Sequence, residues 1–64
     1  MYFIIKYDRK NGKVKDVKEY VDWDVAFKIH MDTITNETNP DISVSLIDAP
    51  DRKELERLYG AFFH

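Results

Sequence analysis

A chain of 64 residues with no cysteine and a net charge of −2 is too short for a second domain, and it excludes disulfide staples and thiolate metal sites. A domain this small buries only roughly 60% of its unfolded surface, so its margin of stability is thin. No apolar run approaches the roughly 20 residues that cross a bilayer, and the N-terminus has neither the basic lead nor the apolar core of a signal peptide. A cytoplasmic chain with no membrane association is therefore expected. Charge is unevenly spread: residues 1–21 carry six basic against three acidic side chains, and residues 22–64 carry four against nine.

The first expected strand is Tyr2 to Tyr7, the most β-prone run in the chain. Alternation sets Phe3, Ile5 and Tyr7 on one face and Tyr2, Ile4 and Lys6 on the other, and apolar side chains on both faces mark a central strand. Asn11-Gly12 then signals a hairpin. A two-residue turn would set Phe3 opposite Tyr20. A three-residue Lys10-Asn11-Gly12 loop instead sets Ile5 opposite Val17 and Lys6 opposite Asp16, joining apolar to apolar and opposite charges, and is preferred. The second strand, Val14 to Val21, is flanked and punctuated by Lys13, Lys15 and Lys18, the usual guard of an exposed edge.

Asp22 is placed to cap a helix from Trp23 to about Thr35. Trp23, Ala26, Phe27, His30, Ile34 and partly Met31 form its expected sheet-facing stripe, with Val25 and Ile29 off the stripe. Asn36, Asn39 and Pro40 close that helix. In the third strand Ile42, Val44 and Leu46 alternate with Ser43, Ser45 and Ile47. Asp51 and Glu54 offer a capping box for a second helix, with Leu55, Leu58, Tyr59 and Phe62 as its stripe, Arg52 and Glu56 as an outer pair, and Gly60 as a stop. The expected fold is α+β, one ββαβα domain over residues 1–64. Its three-stranded antiparallel sheet has order 2-1-3, and both helices pack on the Phe3/Ile5/Val17 face.

Met1-Tyr-Phe-Ile-Ile-Lys-Tyr-Asp8 resembles the start of the CRISPR-associated Cas2 family of small ferredoxin-like proteins, in which an aspartate follows the first strand. The resemblance spans eight residues and ends where Asp8 enters a tight hairpin instead of a helix, so it implies neither nuclease activity nor a metal site. His30 lacks the further ligands a metal requires and is assigned to the core with one hydrogen-bond partner. Of the acidic pairs Asp22/Asp24 and Asp48/Asp51, Asp22 and Asp51 sit where helix caps are wanted, and Ser43 and Ser45 have no partnered histidine. A metal-dependent phosphodiesterase using Asp8 or the Asp48/Asp51 pair is accordingly the last-ranked reading.

No cofactor, metal or catalytic residue is expected. The first reading is a non-enzymatic protein-binding module, an inhibitor or regulatory partner of the kind that phages and mobile elements carry. Its contact residues are expected among Tyr2, Ile4, Tyr20, Val25, Ile29 and Phe63. The second reading is nucleic-acid binding through the basic hairpin, with Arg9, Lys10, Lys13, Lys15 and Lys18 on phosphates and Tyr7 or Tyr20 stacking on bases. With both helices on one face, the other would present Tyr2, Ile4, Tyr20 and Val14, and the third strand would leave an edge without lysines. A homodimer, back to back or edge to edge, is expected from that surplus.

Overall fold

The computed structural model describes residues 1–60, so the expectations placed on Phe62 and Phe63 lie outside the described residues. Five elements follow in order: β1 (Tyr2–Asp8), β2 (Lys13–Tyr20), α1 (Trp23–Asn36), β3 (Ile42–Asp48) and α2 (Arg52–Leu58). The sheet is antiparallel in the order β2-β1-β3, which makes this a small α+β fold with the most apolar strand in the middle.

Along the body of the hairpin the register pairs Tyr2 with Tyr20, Ile5 with Val17 and Lys6 with Asp16. The register then slips between Lys6 and Tyr7, so that Tyr7 meets Val14 and Asp8 meets Lys13. Lys15 is left as the extra residue of a bulge, and the loop is Arg9 to Gly12, one residue longer than expected. Two local demands account for this. Gly12 adopts φ 67°, and its N–H closes the turn onto the Asp8 carbonyl at 2.8 Å. The bulge also turns Val14 onto the Phe3 face, where it packs against the core, and so removes it from the face assigned to it above.

The helices lie on opposite faces of the sheet, which corrects the expectation that both share one. Leu55 of α2 is fully buried and joins Phe3, Ile5 and Ala49, with Val14, Val17 and Ile47 packed around them. α1 covers the other face. Trp23 meets the Tyr2 ring edge-on at 5.2 Å, Glu37 just beyond the helix pairs with Lys6 at 3.4 Å, and Ile4 and Ala26 are buried between. Chirality accounts for the face that α1 takes, because β2 and β3 run parallel on either side of β1 and the chain between them is therefore a crossover, right-handed in nearly all proteins. Arg9 and Met1 bond toward β3 while Asp8 bonds toward the hairpin, so the even-numbered residues of β1 turn their backbone groups to β2. In a right-handed crossover those are the residues that face the helix.

Caps fix both helix starts. Asp22 accepts from the Asp24 N–H at 2.8 Å and from the Val25 N–H at 3.4 Å. Asp51 accepts from the Glu54 N–H at 2.7 Å, whereas the Glu54 carboxylate is taken by Arg57 rather than returning to the cap. Arg52 and Glu56 form the outer pair at 3.4 Å, and Tyr59 caps the helix just before Gly60.

Three carboxylates are held below their usual range, two in connections and one in an ion pair along α2. Asp8 is lowered by the Asn11 side-chain amide and the Asn11 N–H, Glu37 by the Asn39 N–H and then Lys6, and Glu54 by Arg57. Groups with depressed folded-state values stabilise the fold above their unfolded values, and that stability is lost as pH falls through the folded ones. Denaturant midpoints should therefore hold steady down to about pH 4 and fall below it. Asp8→Asn should flatten that fall, and an unchanged acid slope in this variant would contradict the role given to Asp8.

Candidate protein-interaction surface

α1 brings its smallest side chains closest to the sheet. Ala26 is fully buried, and His30, Thr33 and Glu37 follow it at helical spacing as half-buried residues, joined by Ile29 on one flank. Small residues at the contact let a helix approach the sheet closely, and the large residues beside them are left standing out. Trp23, Phe27, Met31 and Ile34 form that flank, each between 45% and 48% exposed. Trp23 and Phe27 stack at 5.6 Å between ring centroids, and the Tyr2 ring extends the aromatic row onto β1.

These four residues were expected in the core. The helix carries more apolar surface than a three-stranded sheet can cover, and the sheet takes the Ala26/Thr33 line instead. A signal was present in the sequence, since Ala26 and Thr33 mark a narrow line of small residues between broad apolar flanks.

The expected contact residues do not form one patch. Tyr2 and Tyr20 are cross-strand partners and half-buried, while Ile4 is 5% exposed beneath α1 and so is not a surface residue at all. Val25 is exposed and Ile29 half-buried, both on the flank of α1 opposite Trp23 and Phe27. Phe63 lies outside the described residues.

The side of α1 on which the exposed row lies follows from helix handedness. α1 runs in the same direction as β1, starting beside Tyr2 and ending beside Lys6. Steps of about 100° per residue then carry Trp23, Ile34, Phe27 and Met31 round toward β3, and Ile29 and Val25 toward β2. α1 also packs more closely on β3 than on β2. The aromatic row therefore overhangs the β3 edge of the sheet, whose sequence from Ile42 to Asp48 contains no lysine, arginine or proline. On the other face, Ile5, Tyr7, Ser45 and Ile47 line a shallow open depression.

The remaining candidates are accounted for by local structure. Lys10, Lys13, Lys15 and Lys18 are exposed, and Arg9 donates to the Pro40 carbonyl. The field of Lys15 acts on Asp8 and Glu37, so part of the hairpin's positive charge is answered within the molecule. The Asp8 carboxylate accepts from the Lys10 and Asn11 N–H groups and the Asn11 side chain. Asp48 lies 3.7 Å from the amino group of Met1, and Asp51 caps α2. Among the described residues no three His, Asp or Glu side chains are grouped as metal ligands would be, and no helix is long and apolar enough to cross a membrane. His30 is half-buried, and its Nδ1 has no hydrogen-bond partner among the described residues, in place of the one expected for it. No protein-family model, no curated protein and no solved structure matches the chain.

Proposed function

We propose that this chain is a protein-binding module with no catalytic activity of its own, an inhibitor or regulatory partner acting in the cytoplasm by occupying a site on another polypeptide. The observation that carries this reading is the row Trp23, Phe27, Met31 and Ile34, nearly half exposed along one side of α1. Aromatic residues and methionine are the types enriched at protein interfaces, and large side chains left in water along a helix are suited to docking in or against a groove.

A photo-crosslinking amino acid placed at Phe27, in cells that produce the chain, tests this. A covalent adduct with a polypeptide is expected from position 27 and none from Lys18 on the far strand. The absence of any adduct from position 27 would overturn the reading. The basic hairpin makes a different forecast, since phosphate contacts are strongest at low salt. A gel-shift assay at about 50 mM salt should show no retardation of single- or double-stranded substrates. Retardation abolished by replacing Arg9, Lys10 and Lys13 with glutamate would put nucleic-acid binding first.

A further inference from the structure

We infer that the polypeptide docking on this surface is a second copy of the same chain, joined through antiparallel pairing of the two β3 edges with the two α1 rows meeting above the joint. The inference rests on the reading of the α1 row as a contact surface and names its occupant. Two independent features coincide at one side of the molecule, an unguarded strand edge and the apolar row that overhangs it.

The edge is self-complementary. In β1–β3 pairing Phe3 is opposite Ile47, Ile5 opposite Ser45 and Tyr7 opposite Ser43. The odd-numbered residues of β1 bond toward β3, so the odd-numbered residues of β3 bond back to β1. The backbone groups of Val44, Leu46 and Asp48 and the Ile42 carbonyl therefore point outward, while the Ile42 N–H is taken by the Asn39 carbonyl at 3.1 Å. A two-fold axis at Ser45 sets Val44 opposite Leu46 in hydrogen-bonded pairs, and sets Ile42 opposite Asp48 of the second copy, whose N–H the Ile42 carbonyl would accept. The two Ser45 residues meet at a non-hydrogen-bonded position, where strands come closest and a small side chain fits.

Charge selects this edge over the other. Along β3 the only charged side chain is Asp48, and it would face Ile42, so no like charges meet. The β2 edge carries Lys13, Lys15 and Lys18 and is guarded against such pairing. The area is also sufficient. Four large side chains at nearly half exposure offer roughly 400 Å², and with the strand edge each copy would bury roughly 600 Å². The total, on the order of 1,200 Å², lies at the lower limit of stable specific interfaces. The shallow depressions beside Ser45 in the two copies would then lie next to each other on the face opposite the helices.

Sedimentation equilibrium of the purified protein at tens of micromolar tests the assembly. The expected mass is about twice the 7.6 kDa of one chain. Ser45→Lys sets two ammonium groups against each other at the axis, and Phe27→Glu puts charge into the apolar row. Each should weaken association about tenfold or more and move the mass toward that of one chain, with circular dichroism unchanged. Lys18→Glu, on the far strand, should leave the dimer intact. A wild-type mass of one chain would overturn the second-copy assignment while a foreign adduct from Phe27 preserved the contact-surface reading. A dimer indifferent to both Ser45→Lys and Phe27→Glu would also overturn it, and absence of any adduct from Phe27 would overturn both.

Discussion

Phe3→Ala is expected to unfold most of the protein at room temperature in modest denaturant. Phe3 is fully buried near the start of β1, against Ile5, Ala49 and Leu55, and truncating such a side chain costs about 3–5 kcal/mol. A domain of this length has a total stability of about 3–10 kcal/mol, so this one cavity removes a large part of it. Leu58→Ala is the matched control, because Leu58 of α2 is 55% exposed and its loss should cost no more than about 0.5 kcal/mol. Chemical denaturation read by tyrosine and tryptophan fluorescence separates the two. Equal midpoints for Phe3→Ala and Leu58→Ala would contradict the placement of the core.

The second large effect belongs to Ile4→Asp. Ile4 lies under α1, and a short carboxylate there has no route to solvent of the kind that a lysine finds by extending its stem. The expected cost is at least about 3 kcal/mol, seen as loss of the cooperative unfolding transition. Val25→Asp, on an exposed flank of the same helix, should leave that transition in place. A folded Ile4→Asp variant, altered only in its association, would mean that the Tyr2/Ile4 face is open.

Much of the fold was legible from strong local chemistry. Tyr2 to Tyr7 announced a central strand, Asn11-Gly12 a hairpin, and Asp22 and Asp51 helix caps, and all four appear where expected. The pairing of Ile5 with Val17 was readable because a slip by one residue would have exposed Val17. The bulge at Lys15 was not readable, since it answers the geometry of Gly12 and the packing of Val14 rather than any residue preference at position 15.

The face that α1 turns to the sheet was not legible from apolar periodicity. Periodicity ranks the residues of Trp23 to Asn36 by apolar content, and by that measure the Trp23/Phe27/Ile34 side is the stronger one. Packing ranks them by how closely the helix can approach, and Ala26 with Thr33 wins that comparison. The handedness of the crossover from β2 to β3 would have placed α1 over Ile4 once the 2-1-3 order was accepted. The exposed row of α1 was hidden for the same reason, since apolar content alone places Trp23, Phe27 and Ile34 in the interior.

The central claim is that the exposed row of α1 serves binding and not folding, and an amide proton–nitrogen correlation spectrum of Phe27→Glu tests it most directly. The account predicts the full dispersion of a folded domain, with shifts confined to α1, β3 and their surroundings and with lines sharper than those of the wild-type chain. A spectrum collapsed to the narrow range of an unfolded chain would show that Phe27 belongs to the core, and would contradict the account.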